Sequence, residues 1–338
     1  MTRTVIAIDV GRSAVKVVAN VNGVFHRLQF PTLVAPNKEF SDDAAERMAE
    51  VDRIQVDGRE YLTGHSVRLQ FGQGGLVGLD HNWTERPEYR ALVASAMKRL
   101  RLQAPISESP LLIVGTPASN FRATRDALKA ATAATVQGAE VKVLMQPTGA
   151  YFAHILSPGG VPVSDTLERN GRKRSWAVVD VGHFTTDFLL MRENMAVEET
   201  IGSCEGAIEA AKRLVAQLNA RNIAIDVLAA EEALRTREVL HNGCNDVGAE
   251  VDKAIEELTQ KIHSSGAALL SRYVSQLDGV LLAGGAAPLL VEALKRHWPS
   301  AIVLPEPRQA VAEGFCRFGV GMVRRDAARA AAAEKAHG

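Results

Sequence analysis

The chain contains two copies of one strand-turn-strand pattern, and this internal repeat constrains the fold more than any other feature. The first copy is VIAIDVGRSAVKVV at residues 5–18, and the second is WAVVDVGHFTTDFLL at residues 176–190. In each copy an apolar strand ends in Asp-Val-Gly, and a second strand follows a short turn. A chain of 338 residues also exceeds what one hydrophobic core usually covers. We therefore expect two similar lobes, each beginning with a hairpin.

Composition excludes several classes of protein. Thirty-nine basic residues balance 39 acidic ones, so no overall field draws the chain onto nucleic acid or an anionic membrane. The cysteines Cys204, Cys244 and Cys316 are odd in number and widely spaced, which indicates neither a disulfide framework nor a CxxC metal site. No signal segment follows Met1, and no run approaches the ~20 apolar residues of a membrane span. We expect a cytoplasmic protein without a membrane partner.

Strands and helices alternate along the first half of the chain. An amphipathic helix is predicted at residues 87–102, a buried strand at 111–115, a helix at about 120–134 and a strand at 141–145. A strand, a helix and a strand in that order indicate a parallel crossover on one sheet. The fold class is therefore α/β.

The predicted organisation places a polar break between the two copies of the hairpin. A helix is expected to start near Pro147, a strand is expected near residues 196–201, and FGQGGLVGLD at 71–80 is expected to be a loop. The basic cluster Arg172-Lys173-Arg174 is interpreted as a solvated loop, because no aromatic residues alternate with it. The predicted boundaries are lobe I at 1–156 with a small insert at about 31–86, a polar linker at 157–175, lobe II at 176–323 with a helical insert at about 219–275, and a frayed tail at 324–338.

The repeated turn suits a phosphate group. A glycine lets backbone N–H groups approach an anion closely, and neighbouring Ser or Thr residues add hydroxyl donors. Asp9 and Asp180 end the first strand of each copy and would repel a phosphate unless a cation such as Mg²⁺ stood between them. Alternatively, each aspartate accepts hydrogen bonds within its own turn. The presence of two matching turns favours a metal nucleotide.

The sequence resembles the superfamily of actin, the Hsp70 chaperones and the sugar kinases. Five segments carry this resemblance in the family's order: AIDVGRSAVKV, QPTGAYFAH, VVDVGHFTTDF, LLAGGAAPLL and QAVAEGF. The VDGREYLTG hairpin, the LLIVGTPASNF segment and the short second lobe make the chain most similar to the ParM/StbA plasmid-segregation group and archaeal actin-like proteins. The resemblance implies an actin-like fold of two pseudo-repeated RNase H-like lobes around a nucleotide cleft.

The resemblance also implies roles for the residues of the two turns. In the first, Asp9 would act on the metal, and Lys16 would reach the β-phosphate unless it is a surface lysine at a strand edge. In the second, Asp180 would act on the metal and Asp187 would brace the turn, while His183 stands where many relatives have glycine. The remaining implied phosphate contacts are Gly11, Arg12, Ser13, Gly182, Thr185 and Thr186.

Further implied residues lie at the ends of later elements. Gln146 would position the attacking water, although it is equally suited to bond the backbone at a helix start. Gly149, Ala150 and Gly314 would let two connecting helices cross closely. The implied adenosine contacts are Gly284, Gly285, Ala286, Glu209, Lys212 and, more loosely, Arg213.

The resemblance implies an ATPase that binds ATP and Mg²⁺, polymerises into filaments and retains ADP after hydrolysis. Its expected partners are other copies of itself and a DNA-bound adaptor protein, without direct contact to nucleic acid. Two alternatives stay open: a non-polymerising ATP-binding scaffold of the cell-division or pilus-assembly type, and a small-molecule kinase. The kinase needs a carboxylate base in the first lobe, and no Asp matches that place.

Overall fold

The computed structural model describes residues 3–71 and 83–337. The chain divides into two compact units, the first comprising Met1–Val163 and Ala312–Gly338 and the second comprising Ser164–Val311. Each unit has its own hydrophobic core. These units differ from the predicted lobes, because most of the predicted linker belongs to the second unit and the end of the chain returns to the first.

The first unit is built on a mixed sheet. Its elements in the described ranges are β1 (Val5–Val10), β2 (Ala14–Val21), β3 (Val24–Pro31), β4 (Val34–Pro36), α1 (Asp43–Asp52), β5 (Arg53–Val56), β6 (Arg59–Thr63), α2 (His65–Phe71), α3 (Pro87–Arg101), β7 (Leu111–Thr116), α4 (Phe121–Thr135), β8 (Glu140–Met145) and α5 (Gln146–Ile155). The order of strands in the main sheet is β3-β2-β1-β7-β8. Strands β1, β2 and β3 form an antiparallel meander, whereas β7 and β8 run parallel to β1.

Burial explains why these segments form this sheet. Every residue of β1 and of β7 is buried, as expected for central strands with helices on a sheet face. In α3 the predicted apolar face, including Tyr89, Leu92 and Leu100, packs into the same core. The insert expected at 31–86 contains a separate sheet with the order β4-β6-β5.

The second unit repeats the plan of the first. Its elements are α6 (Ser164–Leu167), β9 (Glu168–Arg169), β10 (Arg172–Lys173), β11 (Ser175–Val181), β12 (Thr185–Arg192), β13 (Met195–Ala196), β14 (Gly202–Glu205), α7 (Ala207–Asn219), α8 (Val227–Thr236), β15 (Glu238–Leu240), β16 (Cys244–Asp246), α9 (Gly248–Leu270), β17 (Gly279–Ala283), α10 (Ala287–His297) and β18 (Ala301–Val303). The sheet order β13-β12-β11-β17-β18 corresponds strand for strand to that of the first unit, and β14 also pairs with β12. The predicted α/β fold with an internal repeat is confirmed.

Three local expectations differ from the structure. The strand expected near 196–201 is replaced by a 3₁₀ turn at Glu198–Thr200, and the pairing strand is β14. The segment expected to be a polar linker contains α6 and the β9–β10 hairpin. The tail expected to fray from residue 324 is helical, because α11 (Ala310–His337) continues through it.

The glycine-rich loop expected at 71–80 lies almost entirely outside the described residues. Among the helices that the structure describes, none combines the length and the apolarity needed to cross a membrane.

Candidate functional site

A buried charge pair lies at the first Asp-Val-Gly turn. Asp9 and Lys16 are direct cross-strand partners on β1 and β2, so their side chains share one face of the sheet. The Lys16 ammonium donates to Asp9 Oδ2 at 2.9 Å. Asp9 is only 2% exposed. Lys16 is therefore not a surface lysine at a strand edge, which was the alternative interpretation. Its ammonium places a positive charge at the turn.

Gln146 belongs to the same cluster. Its Nε2 donates to Asp9 Oδ1 at 2.7 Å from the first residue of α5. Gly115 in β7 makes room for it, since a Cβ at that position would lie 2.8 Å from Gln146 Cγ. The side chain of Gln146 thus bonds a carboxylate rather than the helix backbone, and its Oε1 is the amide atom left to accept a hydrogen bond from water.

The first turn is closed by backbone contacts and by one residue that the sequence analysis missed. The Gly11 N–H donates to the Ala14 carbonyl at 3.1 Å. Thr32, which follows β3, donates its hydroxyl to the Gly11 carbonyl at 2.5 Å. A Cβ at Gly11 would lie 2.9 Å from Lys16 Nζ, so glycine lets the amine pack over the turn. Arg12 is exposed and Ser13 is half-buried. No motif in the sequence points to Thr32, because its contact depends on the β2–β3 register.

The second Asp-Val-Gly turn is fixed to the start of α7. The Gly182 N–H donates to the Thr185 carbonyl at 2.9 Å, which closes the turn. The carbonyls of Gly182 and His183 accept from the N–H groups of Ala207 and Ile208 at 3.0 and 2.8 Å. These bonds satisfy N–H groups that a helix start leaves unpaired, and they join the turn rigidly to the helix.

The hydroxyl residues after this turn point in different directions. Thr185 is half-buried and donates its hydroxyl to Asp187 Oδ2 at 3.2 Å. Thr186 is fully buried, and its hydroxyl donates to the Glu205 carbonyl at 2.9 Å. The prediction that Thr186 contacts phosphate is therefore wrong, because its side chain lies on the sheet face that the core covers. The side chain of Thr185 lies on the opposite face.

The Gly-Gly turn after β17 lies directly beside Asp180. Strands β11 and β17 are parallel, with Asp180 paired to Ala283, so both strands end at the same edge of the sheet. Gly284 has φ +90°, and a Cβ there would lie 2.2 Å from the Val181 carbonyl oxygen and 2.7 Å from Asp180 Oδ1. Only glycine permits this approach, which brings the proposed adenosine turn and the second phosphate turn together within the second unit.

Arg308 is a further residue that the sequence analysis missed. Its Nε lies 3.4 Å from the position of a Cβ on Gly285. The backbone next to Arg308 is fixed to this turn, because the Pro307 carbonyl accepts from the Gly284 N–H at 2.8 Å. Arg308 is exposed and forms no hydrogen bond or ion pair with the residues that the structure describes. It therefore offers an available cation beside the carboxyl ends of β11 and β17, the edge at which α/β sheets bind ligands.

His183 lies in the second turn, close to α8. Its Nε2 lies 3.4 Å from Glu231 Oε1 on α8. Burial lowers the pKa of His183 below the ordinary 6.5, and the nearby charges of Arg308 and Lys212 lower it further. The side chain thus connects the turn with α8. The positive charges of Arg308 and Lys212 lie near it and would attract an anionic ligand.

The residues expected near the base lie on α7. Lys212 pairs with Glu209 at 2.6 Å, and Arg213 pairs with Glu205 at 2.6 Å. Ala286 precedes α10 and is buried. Lys212 is close enough to act on the pKa of His183, so the start of α7 and the second turn belong to one electrostatic environment.

The helices α5 and α11 cross at two glycines within the first unit. A Cβ at Gly314 would lie 1.8 Å from the Gly149 carbonyl oxygen, so the two backbones are in direct contact. Ala150, the next residue of α5, is fully buried. Arg317 of α11 donates to the carbonyls of Ala153 and Leu156 at 2.7 and 2.8 Å and so caps the end of α5.

The donor chemistry fits a magnesium ion that is bound mainly by phosphate and water. Within residues 3–71 and 83–337, no group of three His, Cys, Asp or Glu side chains is placed to hold a metal ion. Asp9 already accepts from Lys16 and Gln146. Mg²⁺ usually keeps several waters and takes one or two carboxylates plus substrate phosphates, and each unit has one carboxylate of this kind at its turn, Asp9 in the first and Asp180 in the second.

Comparison with protein-family models gives two matches. Residues 7–149 match the N-terminal domain of actin-like proteins. Residues 178–296 match the C-terminal domain of the archaeal actin homologue described as MreB-like. Each match contains one Asp-Val-Gly turn. No curated protein matches the sequence.

Solved structures of similar fold cover almost the whole chain. A 15-stranded ParM filament from Clostridium botulinum is similar with a TM-score of 0.75 and 19% identity, over 94% of this chain and 99% of that one. The archaeal actin homologue Ta0583 in complex with ADP has a TM-score of 0.68 and 18% identity, over 94% and 98% of the chains. A double-helical MamK filament has a TM-score of 0.66 and 18% identity, over 93% and 98%.

Proposed function

Because the chain belongs to the family of actin-like proteins, we propose that it binds ATP with Mg²⁺, hydrolyses it and assembles into filaments. The observation that carries this proposal is the repeated turn at the end of β1 and of β11, each with a buried or half-buried aspartate. In each unit, the turn would contact phosphate. The ADP complex of Ta0583 and the filaments of ParM and MamK support nucleotide binding and self-assembly for this chain.

The residues of the first unit would act on the phosphates and on water. Lys16 would supply positive charge to the β-phosphate, since its ammonium already lies over the Gly11 turn. Gln146 would hold the attacking water through Oε1, while Asp9 keeps its amide in place. Phosphoryl transfer requires mainly positioning and charge stabilisation, which this cluster can provide. When bound, Mg²⁺ would neutralise charge on the phosphate oxygens.

The residues of the second unit would hold the remainder of the nucleotide. The Gly182 turn and Thr185 would donate to the terminal phosphate, and the Gly284–Gly285 turn would lie against the base. Arg308 and Lys212 would add positive charge around His183. As the cellular role we propose plasmid or other DNA segregation, with an adaptor protein bridging filament and DNA.

Light scattering and phosphate release, measured together on the full-length protein, test this function. Mg-ATP is expected to raise scattering above a critical protein concentration, and phosphate release is expected to follow. Gln146→Ala should retain nucleotide binding and slow phosphate release by roughly 100-fold, the range for loss of a positioned catalytic group. Gln103→Ala, which alters an exposed glutamine of the same unit, serves as the matched control.

Two results would contradict the proposal in different ways. If scattering does not rise although nucleotide is bound, the filament hypothesis is wrong and the non-polymerising scaffold is the better explanation. Unchanged phosphate release in Gln146→Ala would remove that residue from the reaction.

A further inference from the structure

A groove in the second unit carries an excess of positive charge. Arg172, Lys173 and Arg192 line a cavity of about 790 Å³, and Glu193 is the carboxylate among its lining residues. Arg192 is exposed and makes no side-chain hydrogen bond or ion pair within the described part of the chain. Lys173 contacts Glu193 at a distance of 3.9 Å, at the limit of an ion pair. Arg192 is therefore the groove cation that no carboxylate among the described residues neutralises.

The wall of this groove that contains Arg172 is fixed by the carboxylate of Asp278. Arg172 donates to Asp278 at 2.6 Å, and the Ser175 N–H donates to the same carboxylate at 2.8 Å. The Asp278 side chain is 5% exposed, so the β9–β10 hairpin is anchored to a buried charge. Half-buried Leu277 lines the groove, and the exposed Val274 lies close by in sequence. The groove thus suits a segment that combines carboxylates with an apolar side chain.

The β15–β16 hairpin of the same unit has this chemistry. Its register pairs Glu238 with Asp246 and Leu240 with Cys244, so these four side chains share one face. All four are exposed, and Leu240 is 86% exposed, the largest value among the large apolar residues described. The hairpin pairs only with itself in the described sheets. Its outer face is therefore acidic at the base and apolar at the tip.

The charges on this face favour a cationic partner. Glu238 and Asp246 are directly opposite, and like charges in that arrangement destabilise a strand pair. Both carboxylates contribute to a raised pKa of the Cys244 thiol, which lies on the same face, and Glu238 has the larger effect. Arg237 of the same unit already acts on Asp246, so a cation of a second molecule would chiefly neutralise Glu238.

We propose that the β15–β16 hairpin of one copy docks into the groove lined by Arg172, Lys173 and Arg192 of a second copy. This inference rests on the proposed filament function and names one of its protomer contacts. The two surfaces are different, so the contact is heterologous, and in a filament it would repeat from copy to copy instead of closing as a symmetric dimer. Leu240 enters the groove beside Leu277, and Glu238 faces Arg192.

A disulfide experiment tests the contact directly. Cys244 is an exposed native thiol on the hairpin, and Ser275 is an exposed residue that lines the groove. In Ser275→Cys protein with Mg-ATP, mild oxidation is expected to give a reducible ladder of dimers, trimers and longer species. The same variant carrying Cys244→Ser should give no ladder. Oxidation that stops at dimers, or that gives no cross-link, would overturn the proposal.

Charge reversal supplies a second, independent measurement. Glu238→Lys and Arg192→Glu should each raise the critical concentration for assembly by about tenfold, because they place like charges in the contact. The double variant should assemble within about threefold of the wild type, since the pair is restored with opposite polarity. Lys253→Glu changes an exposed lysine of α9 and is the matched control. Wild-type behaviour of both single variants, or no recovery in the double variant, would exclude this contact.

Failure of the contact and failure of the function are distinguishable. If the wild type shows no assembly with Mg-ATP, the filament function is wrong and the contact falls with it. If the wild type assembles while the variants behave as the control does, the filament function stands and only this contact is wrong.

Discussion

Replacing Lys16 by methionine tests whether the Asp9 cluster is a true buried ion pair. Methionine keeps most of the apolar stem and removes the ammonium that donates to Asp9 at 2.9 Å. The side chains of Asp9 and Lys16 are 3% and 15% exposed, so water compensates little for the lost partner. Removing one member of a buried pair costs about 3–5 kcal/mol, and because the bond from Gln146 to Asp9 remains, we expect a loss of about 3 kcal/mol.

Urea denaturation followed by circular dichroism, without nucleotide, measures this loss of unfolding free energy. Lys142→Met is the matched control, because Lys142 pairs with Glu140 at 3.2 Å but is 36% exposed. An exposed pair contributes about 0–1 kcal/mol, so the control should remain close to the wild type. Adding Asp9→Asn to Lys16→Met should recover more than about 1 kcal/mol, because the unpaired charge is then absent.

The reasoning would be refuted by a Lys16→Met protein as stable as the Lys142→Met control. It would also be refuted if Asp9→Asn failed to improve the Lys16→Met protein, since the loss would then have another cause than the buried carboxylate.

Three further predictions concern other parts of the two units. Gly314→Ala should destabilise the protein by at least about 3 kcal/mol in thermal unfolding, because the added Cβ would overlap the Gly149 carbonyl. Gly159→Ala is the control and should be tolerated, because the nearest atom to its added Cβ would lie 3.9 Å away. The pKa of His183 should lie below 6.5 in an NMR titration, and a midpoint at or above 6.5 would contradict this. Because the folded state favours the neutral ring, the contribution of His183 to stability is complete above pH 6.5 and decreases as the pH falls toward the lowered pKa. Arg308→Gln should weaken binding of a fluorescent nucleotide by about tenfold without changing the unfolding curve, and unaltered affinity would remove Arg308 from the site.

The elements predicted most accurately are those with a strong local pattern. The apolar strands before Asp9 and Asp180, and the amphipathic helix at 87–102, follow from short-range periodicity that burial then preserves. The 3₁₀ turn at Glu198–Thr200 and the helical end of α11 were missed, because weak local patterns there yield to packing or to continuation of an existing helix.

The sequence by itself determined the repeat and its consequence, two α/β units that each end a central strand in Asp-Val-Gly. Tertiary structure alone decided which side chains meet at those turns. It joined Gln146 to Asp9 across 137 positions, placed Arg308 beside Gly285 and buried the Thr186 hydroxyl. The physical reason is that strand periodicity is written in neighbouring residues, whereas these contacts depend on strand register and crossover connections between distant segments.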